Sequence, residues 1–175
     1  LSGAGVAPAA ILGMFGDSRV ANGWATTPTA GGLNGLAEGI NSWVEFLSQG
    51  TVRIPSSLNY GVSGDTTTQM VSRLDAAVTA MNAAGAAGVI VIASTNDSIN
   101  SIPVATTKTN LATISAAFRA VGMRVIFCNE MPRGDGTFTS AALTSTNLRD
   151  HLEVARWLSS RQYTQIGEFV ADTWS

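Results

Sequence analysis

Apolar residues are arranged along this chain in two alternating periods. Unbroken runs such as Ala9-Ala10-Ile11-Leu12-Gly13-Met14-Phe15 and Val89-Ile90-Val91-Ile92-Ala93 read as strands buried on both faces. Between them, apolar positions recur every three to four residues, as on one face of a helix. The first strand is expected over 10–16. Leu36, Ile40, Trp43, Val44 and Leu47 then form a stripe that Gly50 ends. A less regular second strand falls within 51–60. Thr66-Thr67-Thr68-Gln69 has the form of a capping box opening a helix with Met70, Leu74, Val78 and Met81 on one face, which Gly85 and Gly88 end. A third strand, 89–93, precedes a helix marked by Leu111, Ile114, Phe118 and Val121. A fourth, 124–128, is followed by a turn at Pro132-Arg133-Gly134-Asp135-Gly136 and a helix carrying Leu148, Leu152, Ala155 and Leu158. Residues 168–172 supply a fifth strand.

Five such strand-then-helix units predict a five-stranded parallel sheet with right-handed crossovers inside a three-layer α/β/α sandwich. Residues 1–8, Leu1 to Pro8, read as a linker or processed end, and 9–175 as one domain. The chain of 175 residues is 45% hydrophobic and 13% charged, which suits a folded core rather than disorder. No apolar run approaches the ~20 residues that cross a bilayer. The net charge is −2, and nearly all the cations are dispersed arginines, with Lys108 the lone lysine. Without a basic stripe, nucleic acid and anionic membranes are poor partners. Cys128, the single cysteine, is expected as a buried structural thiol, and Met14, Met70 and Met81 as core fillers. The reading calls for no cofactor and no metal.

The candidate chemistry lies where the strands end. Gly16-Asp17-Ser18 closes the first strand, Asn59-Tyr60-Gly61-Val62-Ser63-Gly64-Asp65 follows the second, and Ser94-Thr95-Asn96-Asp97 the third. Carboxyl ends of strands in an open α/β sheet are where ligands bind. Acyl transfer by a serine needs a hydroxyl, donors for the developing oxyanion, a base and a group to orient that base. Ser18 offers the hydroxyl and its own N–H, Gly64 an unshielded N–H, and Asn96 a side-chain amide.

These three blocks, in this order and at these intervals, resemble those of the SGNH (GDSL-type) hydrolases, and the likeness spans nearly the whole chain. It implies a flavodoxin-like sandwich, a serine nucleophile at Ser18, and an oxyanion hole from Ser18, Gly64 and Asn96. It also implies an ester substrate, small-molecule or glycan. Short acyl groups, especially O-acetyl groups on carbohydrate, are favoured because no acyl tunnel or apolar lid is evident. The linker-like start suits a module of a secreted or particle-bound protein. Two departures stand out. Ser94 occupies a place usually held by glycine, and its small size predicts little consequence. The family's Asp-x-x-His, carrying the base, has no counterpart before Ser175. The base, its orienting Asp and the last helix are therefore expected in a downstream segment or a separate chain.

His151, the only histidine, is expected at the edge of its helical stripe, partly buried or on the surface and pairing with Asp150 or a helical neighbour, rather than as a relocated base. Asp17 and Asp97 are expected to accept backbone N–H bonds that hold their turns. Arg19 either meets an anionic substrate group or is solvated. Trp24 and Thr26–Thr29 sit on a loop that can shape a pocket. The alternative is a non-catalytic module holding a sugar or ester in the same pocket. A nucleotide binder using Thr26, Thr27 and Thr29 for phosphate rests on fold analogy alone.

Overall fold

The structure is a computed structural model describing residues 9–22, 39–129, 146–161 and 164–171. In chain order the elements are β1 (Ala10–Gly16), α1 (Ser18–Asn22), α2 (Ile40–Leu47), β2 (Val52–Arg53), β3 (Asn59–Gly61), α3 (Thr67–Ser72), α4 (Leu74–Ala83), β4 (Gly88–Ile92), α5 (Thr95–Ile99), α6 (Val104–Ala120), β5 (Arg124–Cys128), α7 (Thr146–Arg161) and β6 (Glu168–Ala171). The sheet order is β2-β1-β4-β5-β6, with β3 also on β1, and every pairing is parallel.

The second predicted strand is thus two short ones. Pro55 has no N–H for a ladder, and a 3-10 turn at Ser56–Leu58 separates the halves. Both halves pair with β1, so the five expected sheet positions are kept. The helix foreseen after Thr66 is likewise two. Its capping box forms as expected, but the backbone leaves helical geometry at Arg73 (φ −115°, ψ 10°) before α4 begins. Gly88 does not end that helix. It opens β4, where a Cβ would lie 2.8 Å from the Arg124 carbonyl oxygen.

Apolar clusters fill both faces of the sheet, giving the three layers. On one face Phe15, Val89, Val91, Val125 and Phe127 pack under Met70, Met81, Leu111, Ile114, Phe118, Val154 and Leu158. On the other, Met14, Ile90 and Ile92 lie with Val20, Ile54, Ile40 and Val44. The three methionines are fully buried, as expected. Cys128 is only half-buried, with Ile126, on β5's side of that second face. Val121 lies beyond the α6 stripe and is exposed; the buried positions are Thr107, Leu111, Ile114, Ser115 and Phe118.

At the start of β6, the buried Glu168 carboxylate accepts from Arg161 and from the Ser115 hydroxyl, with Arg119 at 3.4 Å. These contacts join β6 to α6 and α7 and supply the hydrogen-bond partners that a buried carboxylate requires. Arg161 also stacks on Trp157, 4.8 Å from the ring centroid.

Register positions the site. Gly16 pairs with Gly61 on one side and Ile92 on the other, so three strand ends lie in one row. The row is tight. A Cβ on Gly16 would sit 2.2 Å from the Ile92 carbonyl oxygen, and one on Gly61 2.1 Å from the Ala21 nitrogen. Gly61→Ala is accordingly expected to destabilise the fold by about 2–3 kcal/mol in urea denaturation. A change within 0.5 kcal/mol, on the order of an ordinary surface substitution, would contradict the packing described.

Candidate active site

Beyond the row Gly61–Gly16–Ile92, each strand gives way to a turn. After β1, the Asp17 carboxylate accepts the Arg19 N–H at 2.9 Å through Oδ1, the local turn expected of it. The chain then enters α1, whose first residue, Ser18, is half-buried and therefore not sealed in the core. At the start of β3, Asn59 Oδ1 accepts the Gly61 N–H at 3.0 Å, while its Nδ2 donates to the Val20 carbonyl at 3.2 Å. Asn59 thereby fastens β3 to α1. Gly64 follows at φ +85°, a conformation that suits glycine, with open space where a Cβ would stand.

After β4, Ser94 takes φ +116° before α5 begins. Size was never the difficulty at this position: a serine fits, but its backbone lies where glycine is favoured. Its carbonyl accepts the Asp97 and Ser98 N–H groups at 3.1 and 3.3 Å, which fixes the start of α5. Asp97 differs from expectation in its partner. Its Oδ1 accepts the Thr67 N–H at 2.9 Å, so it secures the start of α3 rather than its own turn alone.

Asn96 joins the three turns. Only 7% exposed, it donates from Nδ2 to the Asp65 carbonyl at 2.9 Å, and the same nitrogen lies 3.4 Å from Asp17 Oδ2. Asp65 follows Gly64 and Asp17 precedes Ser18. The side-chain amide of Asn96 therefore rests on the immediate neighbour of each of the other two candidate residues. Its bond to Asp65 is of normal length, whereas that to Asp17 is long and weak. The amide is therefore held chiefly by the loop that carries Gly64.

Arg19 is half-buried, and its Nη1 donates to the Thr95 hydroxyl at 2.7 Å across the rim. His151 lies inside its helical stripe rather than at the edge. It is 1% exposed, in line with Val154 and Leu158, while Leu148 and Leu152 are half-buried. Asp150 pairs with Arg149. Trp24, Thr26–Thr29, residues 132–136 and Asp172 fall outside the described residues.

Sequence reasoning missed Arg73. Its guanidinium donates to Asp65 Oδ2 at 2.6 Å, to the Tyr60 carbonyl at 2.8 Å and to the Gly16 carbonyl at 2.8 Å. Nothing in a helix-like run around Ser72-Arg73-Leu74 signals this; only the break in the helix does.

The profile of the GDSL-like Lipase/Acylhydrolase family matches residues 14–164. The chain belongs to this family. It is an ester hydrolase of the serine type, and the resemblance to the SGNH (GDSL-type) family is borne out. Among solved structures it is similar to AlinE4, an SGNH-hydrolase family esterase, with TM-score 0.67, 18% identity, and 95% of this chain and 77% of that one covered. TesA gives 0.62 at 19% identity, covering 88% and 75%. The psychrotrophic esterase EstA from Pseudoalteromonas sp., inhibited by monoethylphosphonate, gives 0.62 at 14%, covering 93% and 76%. At these identities the likeness shows the fold. No curated protein sequence matches the chain.

Ser94→Gly is expected to stabilise the protein by about 0.5–1 kcal/mol. Relief of ~1–2 kcal/mol of left-handed strain outweighs the ~0.5–1 kcal/mol entropic cost of a further glycine. Denaturant midpoints of the two proteins test this, and a loss of stability in the glycine variant would contradict it.

Proposed function

We propose that the protein hydrolyses short-chain carboxylic esters, above all O-acetyl groups on carbohydrate, with Ser18 as nucleophile. The N–H groups of Ser18 and Gly64 and the side-chain amide of Asn96 form its oxyanion hole. The observation that carries this reading is the Asn96 amide, bonded beside Gly64 and within weak reach of the residue before Ser18.

In this scheme Ser18 Oγ attacks the ester carbonyl and loses its proton to a histidine base. The carbonyl oxygen becomes an oxyanion and takes the Asn96 hydrogen that Asp17 holds only weakly. Collapse of the tetrahedral adduct expels the alcohol, which receives the proton from the histidine. Water, deprotonated by the same base, then releases the acid and restores Ser18. Donors already fixed in place stabilise the charge without reorganising during the reaction.

The base belongs to an Asp-x-x-His pair that we assign to a segment beyond Ser175. Support comes from His151, whose burial in α7 suits a core role, and from the family resemblance, which carries the base after the last strand. The preference for short acyl groups rests on the sequence, which offers no long apolar segment to shelter an extended chain.

Ser18→Ala is expected to abolish turnover of p-nitrophenyl acetate by the full-length protein. Asn96→Ala should lower kcat by about 100- to 1000-fold with little change in KM, the usual result of removing one oxyanion donor. Across acetyl, butyryl and octanoyl esters, kcat/KM should fall with chain length. Undiminished turnover by Ser18→Ala would refute the mechanism, and a preference for octanoyl would refute the substrate class. Binding of acetylated sugar without any turnover would favour a non-catalytic module.

A further inference from the structure

Among the described residues, three of the four partners of the Arg73 guanidinium belong to the segments around the proposed oxyanion donors. Nη2 donates to the carbonyl of Gly16, two residues before Ser18. Nη1 donates to the carbonyl of Tyr60 in β3. Nε is paired with the carboxylate of Asp65, directly after Gly64. The fourth partner is the Phe15 ring, whose centroid lies 4.7 Å from the guanidinium carbon. A planar, always-charged fork is suited to holding acceptors in several directions at once, whereas an ammonium concentrates its donors at one point.

We propose that Arg73 is the positioning residue of the oxyanion hole. It fixes the nucleophile turn and the Gly64 loop relative to each other and acts on the reaction through Asn96, without touching substrate. The proposal rests on the esterase reading of Ser18, Gly64 and Asn96.

The coupling runs through Asp65. Its carboxylate is held by Arg73, and its carbonyl accepts from Asn96 Nδ2 at 2.9 Å. Gly64, one residue earlier, has no side chain to anchor it and open space where a Cβ would stand, so its neighbours set where its N–H points. The Gly16 carbonyl held by Arg73 also accepts the Val62 N–H at 3.0 Å, tying the first strand end to the same loop. Both charges are largely shielded from water, with Arg73 and Asp65 side chains 23% and 10% exposed. The pair is therefore less screened than one on an open surface. Arg73 also stands where the helix breaks, between α3 and α4, which lets its side chain turn back under the strand ends.

The test uses the full-length protein with Arg73→Lys and Arg73→Met, each alone and combined with Asn96→Ala. The lysine variant keeps the charge if the methionine variant folds poorly. For p-nitrophenyl acetate, Arg73→Lys should lower kcat by about 100-fold, the scale of loss from misplacing a catalytic group by about 1 Å, with KM nearly unchanged. If Arg73 acts through Asn96, the losses do not multiply, and the double variant stays within about tenfold of Asn96→Ala alone. A merely structural residue would instead lower the folded fraction and give losses that multiply in full. Wild-type kcat in Arg73→Lys, or fully multiplying losses, overturns the proposal. Should the unaltered protein show no ester turnover, the esterase reading fails, and the side-chain amide resonance of Asn96 decides the coupling. A shift of that resonance in Arg73→Lys upholds it, and an unmoved resonance overturns it.

Discussion

Gly16 sets the level of everything above it. Paired at once with Gly61 and Ile92, it brings three strand ends into one row. That closeness requires backbone against backbone: no side chain larger than hydrogen fits at Gly16 or Gly61. The turns that follow cannot help meeting, because they depart from adjacent points at the same height. The carboxyl-end crevice of a parallel sheet thus gathers the turns that carry Ser18, Gly64 and Asn96. The chemistry proposed for Ser18 inherits its geometry from sheet register before any side chain contributes.

Two side chains then convert proximity into fixed geometry. Asn96 bridges the turns from above through Asp65 and, weakly, Asp17. Arg73 grips two of the strand segments and the Gly64 loop together. Their roles differ. Asn96 holds the Gly64 loop through its 2.9 Å bond to Asp65 and meets Asp17 only at 3.4 Å, as the oxyanion role proposed for it requires. Arg73 gives Nε, Nη1 and Nη2 each to a protein acceptor, as the positioning role proposed for it requires. Cost is visible beside this arrangement: Ser94 adopts a backbone conformation more natural to glycine at the turn that presents Asn96.

Much of this was legible in the sequence because buried parallel strands leave unbroken apolar runs. The runs at 10–16 and 124–128 became strands with those bounds. The capping box at Thr66 formed as its residues promised. The candidate residues could be assigned to strand ends because the strands themselves were plain. What stayed hidden depended on tertiary partners. Arg73 stands at a helix break that no glycine or proline marks, and its side chain reaches acceptors in β1, in β3 and at Asp65. His151 entered the buried stripe of α7 although a count of apolar positions passes over it. Ser94 is unremarkable by type, and only its φ reveals what the turn demands. The splitting of the second strand was signalled by Pro55, whose missing N–H makes a continuous ladder there unfavourable.

The central claim is that the Ser18 hydroxyl is a nucleophile flanked by ready oxyanion donors. Its most direct measurement is the crystal structure of the full-length protein after reaction with a fluorophosphonate. The account predicts a single phosphonyl group on Ser18 Oγ, its oxygen within hydrogen-bonding distance of the Ser18 and Gly64 N–H groups and of Asn96 Nδ2. A label on another residue, or a phosphonyl oxygen turned away from Asn96 with the Asp17 contact intact, would contradict it.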